Sequence, residues 1–174
     1  MTPLETLRQR SDEGGLRARV HLNNAGIAPL LPAGRAAAVA VLEQMMEGTL
    51  AVNEVFAVHD RARASVARLL GAPRDDVAFF SSCSAALSQV AFGMSLQAGD
   101  ELVVPSREDW SLDLERMIGA ITAKTRVVAV SWIEFSTGAS ADLRALADAA
   151  HRVGAWLVVD AIQGLGVIPF DLPR

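Results

Sequence analysis

The chain is short of amines and thiols. It holds a single lysine, Lys124, beside fifteen arginines in 174 residues. Chemistry that captures an aldehyde as an imine therefore has one side-chain candidate, because a guanidinium stays protonated and forms no functional imine. Cys83 is the only cysteine, which excludes an internal disulfide framework. The three histidines, His21, His59 and His151, are scattered without the spacing of metal ligands. No metal site is expected. The net charge is −4 and there is no basic block, so nothing supports nucleic-acid binding. The apolar runs are short and interrupted, which predicts no membrane span. Residues 1–5 lack the charged start and apolar stretch of a secretory signal. A soluble, cytoplasmic protein is expected. What the chain does have is apolar content: 51% of residues are hydrophobic, enough to build a core.

Two patterns follow one another along the sequence. Residues 3–13 predict a short helix ended by Gly14-Gly15, and the Asn-, Gly- and Pro-rich stretch 21–32 predicts a loop. The alanine-rich stretch from Pro32 to Glu47, with proline at its start, predicts a helix. A second spans 53–70, ended by Gly71 and Pro73. Thereafter apolar runs alternate with helical stretches. Strands are predicted over 77–80, 101–104, 126–131 and 155–159, and helices over 85–96, 112–121 and 141–153. This alternation predicts an α/β fold with a mostly parallel sheet and flanking helices. Continuously apolar strands predict burial on both faces. Ligands of such sheets sit beyond the carboxyl ends of the strands.

Two segments at those ends can carry chemistry. Ser81-Ser82-Cys83-Ser84 joins a strand to a helix N-terminus, where free amides and the helix dipole favour an anion such as phosphate. Plain N-capping by Ser82 or Ser84 is the alternative. Cys83 there is either a thiol of lowered pKa or a small residue lining the turn. Asp160 follows four residues of strand, Trp156-Leu-Val-Val. A strand-end acid can be structural, can bind a metal, or can face a protonated heterocycle. Gln163, three residues on, is either a donor to that ring or a turn residue. Trp110 can lie over a ring, whereas Trp132 and Trp156 read as core or interface residues.

Four segments, in order, resemble the class V aminotransferase family of pyridoxal phosphate (PLP) enzymes, which includes cysteine desulfurases, selenocysteine lyases, kynureninase and isopenicillin-N-epimerase-like proteins. His21-Leu-Asn-Asn-Ala-Gly-Ile-Ala-Pro resembles the loop that borders the substrate. Val77-Ala-Phe-Phe-Ser-Ser-Cys-Ser-Ala-Ala-Leu-Ser resembles the phosphate cup. Ser131-Trp-Ile-Glu-Phe-Ser-Thr-Gly resembles the strand and loop beside the cofactor. Val158-Val-Asp-Ala-Ile-Gln-Gly-Leu-Gly resembles the pyridine-binding strand. The resemblance covers about residues 20 to 172. It implies a fold-type-I PLP-transferase large domain, incomplete, over 73–174, preceded by an N-terminal helical segment over 1–72, with the small C-terminal domain absent. It also implies that Ser82, Cys83 and Ser84 hold the phosphate, Asp160 the pyridine nitrogen and Gln163 the phenolic oxygen. Asn24 would face the substrate and Trp110 would stack on the ring.

The departures from the family pattern matter equally. The Schiff-base lysine of the family lies beyond the segment that ends at Arg174, and Lys124 matches an exposed turn before strand 126–131. A family stretch of roughly two dozen residues, holding a helix and a strand, is missing between Val104 and Leu112. Cys83 stands where threonine is usual. The expectation is a truncated class V aminotransferase-like protein, derived from an enzyme of transaminase, lyase or epimerase type acting on amino acids, and inactive alone. A split enzyme completed by a second chain is the alternative, as is a non-catalytic α/β binding or dimerisation module. Strands 77–80 and 155–159 would be open apolar edges, which predicts a homo-oligomer or pairing with a homologous chain.

Overall fold

The computed structural model describes residues 26–105 and 112–170. The predicted helix over 3–13 lies outside them. The chain divides into two compact units, Met1–Ser65 and Val66–Arg174.

The first unit contains helix α1, Pro32–Glu47. Proline opens it, where the missing N–H costs no hydrogen bond. Gly48 closes it in the left-handed conformation at φ +67, donating its amide to the carbonyls of Gln44 and Met45. Leu42, Met45 and Met46 of α1 are exposed. Helix α2, Val52–Leu70, carries Glu54 in its first turn and Arg68 in its last, both favourable to the helix dipole.

In the second unit a short 3-10 turn, Arg74–Asp76, leads to the segment 77–80, which begins with Val77 in an extended conformation and holds no regular element. Helix α3 follows over Cys83–Gly93, strand β1 over Glu101–Val103, helix α4 over Leu114–Gly119, strand β2 over Thr125–Ser131, helix α5 over Leu143–Arg152 and strand β3 over Trp156–Asp160. The sheet is parallel throughout, in the order β1-β2-β3. Asp142 caps α5 by accepting the Ala145 amide at 3.0 Å. Leu146, Ala149 and Ala150 recur on one face of α5 and are buried.

One sheet face and helices α4 and α5 make the core, around Val103, Met117, Val128, Val130, Leu146 and Ala150. The opposite face is open in part. Leu102 is 58% and Trp156 68% exposed, and α3 buries no residue. Burial on both faces was expected from the apolar strands, and this is corrected in part: β2 buries the adjacent Val127 and Val128, which face opposite ways, but Leu102 and Trp156, the neighbours of Val127 on β1 and β3, are exposed. The segment 77–80 is a second correction. No strand is formed there, the sheet of the described residues being β1, β2 and β3, and Phe79 and Phe80 are exposed. A strand is defined by its ladder partner, which an apolar run does not itself supply.

Candidate functional site

The site begins with the register of the sheet. Ser131 at the end of β2 pairs with Asp160 at the end of β3, so both strands deliver their last residue to the same edge. The Asp160 carbonyl continues the ladder by accepting the Trp132 amide at 2.9 Å. Its side chain then turns the chain: Oδ1 accepts the Ile162 amide at 3.0 Å, an Asx-type turn that fixes the carboxylate plane. Oδ2 accepts the thiol of Cys83 at 3.5 Å, across 77 positions of sequence. The strand-end acid and the Ser82–Ser84 turn are therefore brought together.

Helix α3 supplies the other half. Ser82 is its N-cap, and its hydroxyl accepts the Ala85 amide at 3.1 Å. The capping role that the sequence left open is thus occupied by Ser82. The amides of Cys83 and Ser84 lie in the first turn, where helix geometry offers no carbonyl partner. Cys83 and Ser84 are both exposed. Even so, what burial there is raises the Cys83 thiol above its ordinary value, and the charge and hydrogen bond of Asp160 raise it further. The thiol is therefore held protonated at neutral pH, which removes the nucleophilic thiolate that a helix N-terminus would otherwise favour.

Beside Asp160 lies an open cavity of about 720 Å³, a size usual for small-molecule sites. Ala129, Ser131 and Val158 of the sheet, Leu87 of α3 and Glu134 of the loop after β2 line it together with Asp160. The Ser82–Ser84 turn is not part of that lining and meets the cavity only through the Cys83–Asp160 bond. Glu134 and Ser131 are residues that the sequence did not single out as site residues. Their signal was present, since both fall in the segment 131–138.

The loop after Asp160 is held from beneath. Gly164 and Leu165 donate to the Ala161 carbonyl at 3.0 and 2.9 Å, closing a turn that carries the half-buried Gln163. Gly164 packs on the indole of Trp132, so closely that a Cβ there would fall 2.4 Å from Cε3. Trp132 is 7% exposed, its carbonyl accepts the Ala141 amide at 2.8 Å, and its ring lies 5.2 Å from that of Phe170. Trp132 thus supports the turn that carries Gln163.

Lys124 is exposed and precedes β2, at the opposite end of the sheet from Asp160. Seven residues of strand separate its row from that of Ser131, about 23 Å at 3.3 Å per residue. Its backbone carbonyl anchors the start of β1 by accepting the Glu101 amide at 3.0 Å. Asn24 and Trp110 lie outside the described residues. Among the described residues no three His, Cys, Asp or Glu side chains come together as metal ligands, and no helix is long and apolar enough to cross a membrane.

A family model for aminotransferase class-V matches residues 103–174. The chain is 29% identical over 136 residues to a probable cysteine desulfurase of Methanothermobacter thermautotrophicus, a match covering 64% of this chain and 34% of that protein. It is 27% identical over 148 residues to the cysteine desulfurase NifS of Azotobacter vinelandii, covering 69% of this chain and 37% of that protein. With the uncharacterized aminotransferase YcbU of Bacillus subtilis it shares 31% identity over 134 residues, covering 64% and 36% of the two chains. It therefore spans about a third of the length of these relatives. Two solved structures share the fold. A C-DES mutant with glycine covalently linked to the PLP cofactor superposes with a TM-score of 0.80 at 16% identity, over 94% of this chain and 51% of that one. The Escherichia coli cysteine desulfurase CsdA gives 0.73 at 22% identity, over 98% and 51%.

Proposed function

We propose that this chain is a member of the aminotransferase class-V family and forms the cofactor-holding part of a PLP-dependent enzyme acting on amino acids. The 3.5 Å meeting of Asp160 with the first residue of α3 carries the reading. It brings near one another two groups that suit opposite ends of one small molecule. A carboxylate suits a protonated pyridine nitrogen, and the first-turn amides of a helix suit a phosphate. The donor and acceptor types present thus fit the ring and the phosphate of PLP. When bound, PLP supplies an electron sink for chemistry at the α-carbon of an amino acid.

The residues divide the work. Asp160 would hold the ring nitrogen and keep it protonated, with Oδ1 tied to the Ile162 amide so that the carboxylate does not swing. Gln163 would donate to the phenolic oxygen. Ser82 orders the helix start, and the amides of Cys83 and Ser84 with the Ser84 hydroxyl would receive the phosphate. Asn24 on the substrate side and Trp110 over the ring belong to the same proposal. Lys124 is too far to tether the aldehyde, since an extended lysine side chain reaches only about 6 Å against about 23 Å of intervening strand. These 174 residues, as an isolated polypeptide, would hold PLP without a covalent link and turn over no transaminase, lyase or epimerase substrate.

A second reading is favoured by the open edge of β3. Among the described residues β3 ends the sheet, and Trp156 is exposed on it. Further strands, from a second polypeptide or a homologous partner, would complete the sheet and could bring the missing amine. A dimer in the cytoplasm fits either reading.

Titrating PLP into the purified polypeptide, recording visible absorption and then reducing with borohydride tests the proposal. The expected result is a saturable spectral change, lost in Asp160→Ala, with no pyridoxyl group on Lys124 after peptide mapping. No saturable change would remove the cofactor site. A pyridoxyl group on Lys124 would overturn the assignment of that residue.

A further inference from the structure

We propose that the Cys83 thiol is an internal competitor for Asp160, a contact that weakens the seating of a ring nitrogen on the carboxylate. The inference rests on the cofactor reading above. Both oxygens of the Asp160 carboxylate already have a donor: Oδ1 holds the Ile162 amide at 3.0 Å, and Oδ2 holds the Cys83 thiol at 3.5 Å. The first is a local backbone turn and is built into the end of β3. The second is made by a side chain from another element, and it takes one of the two lone-pair positions of the oxygen that is not tied to the turn.

The same geometry revises the part played by Cys83. Its side chain is directed at the carboxylate, so its contribution to a phosphate is its backbone amide and not its sulfur. Thiols are weak hydrogen-bond donors, and Cys83 is exposed. A rotation about its Cα–Cβ bond therefore frees Oδ2 without repacking a core. The form that seats a ring nitrogen best is the one with the contact open. The apparent affinity for a ring is then the intrinsic affinity reduced by the fraction of molecules in that form.

The experiment uses two probes. Pyridoxine 5′-phosphate carries the ring nitrogen and the phosphate but no aldehyde, so it reports non-covalent binding. Its analogue with CH in place of the ring nitrogen keeps the phosphate and loses the group that needs Asp160. Calorimetric titration compares the unaltered protein with Cys83→Ala and Cys83→Ser, each checked by circular dichroism. Cys83→Ala is expected to bind pyridoxine 5′-phosphate about 3- to 10-fold tighter, the scale of one weak hydrogen bond to a charged acceptor. Cys83→Ser keeps a donor and should gain nothing. The analogue should bind the unaltered protein and Cys83→Ala equally.

Unchanged or weaker binding of pyridoxine 5′-phosphate to Cys83→Ala overturns the inference and leaves the cofactor site standing. Equal tightening of both probes also overturns it, because the effect would then lie at the phosphate. Absence of binding to every protein, the unaltered one included, overturns the cofactor reading and the inference with it.

Discussion

Replacing Gly164 with alanine tests how the turn after Asp160 is held. An ideal Cβ at this position would stand 2.4 Å from Trp132 Cε3, 2.8 Å from Cδ2 and 2.9 Å from Cζ3. Ordinary carbon contacts lie near 3.5–4.0 Å, so the indole and the turn must separate by about 1 Å. The indole has little freedom to yield. It is buried, its backbone is bonded on one side to Asp160 and on the other to Ala141, and Phe170 packs on its ring. Overpacking of this kind costs about 1–3 kcal/mol, which lowers the melting temperature of a chain this long by about 2–12 °C. Gly93→Ala is the matched control. Gly93 is the last residue of α3, is absent from the positive-φ glycines, and has nothing within 4 Å of an added Cβ. That change should be neutral or stabilising by up to about 1 kcal/mol. Differential scanning fluorimetry of both variants decides the matter. If Gly164→Ala melts no lower than Gly93→Ala, the turn is not held by the indole and the account of its support is wrong.

Two further outcomes follow from single contacts. Asp142→Ala removes the cap of α5 and should cost about 1 kcal/mol in urea unfolding, with Asp142→Asn retaining most of it. The raised pKa of Cys83 means that iodoacetamide should modify it only at higher pH than it modifies a free cysteine. Native Cys83 holds its proton where the unfolded thiol has lost it. Its contribution to stability is thus complete below the unfolded pKa and declines as pH rises towards the folded one. Asp160→Asn removes the carboxylate charge and should move the modification profile back to lower pH. An unchanged profile in that variant would show that Asp160 does not act on the thiol.

The parts of this structure that were legible in the sequence are those where pattern and packing coincide. The apolar runs ending at Ser131 and Asp160 form β2 and β3, which pack Val128, Val130, Leu157 and Val159 on the core, and the stretch behind Asp142 forms α5, which buries the face that its periodicity marks. The segment 77–80 has the same apolar character but is not a strand, since a regular ladder depends on a neighbour that its own residues do not encode. Asp160 stood out as an acid ending an apolar strand. Its hydrogen bond to Cys83 could not be read, because tertiary structure alone brings residues 77 positions apart into contact. Gly164 was visible as one of a glycine pair, but its role depends on an indole 32 positions earlier on the neighbouring strand's end, and nothing local signals that.

The central claim is that a phosphorylated pyridine seats between Asp160 and the start of α3. Amide chemical shifts, followed by NMR while pyridoxine 5′-phosphate is added, test it most directly. The account predicts saturable shifts grouped on Cys83, Ser84 and Ala85 and on Asp160 to Gln163, largely lost in Asp160→Ala. Shifts that do not saturate, or that gather around Lys124 at the other end of the sheet, would contradict it.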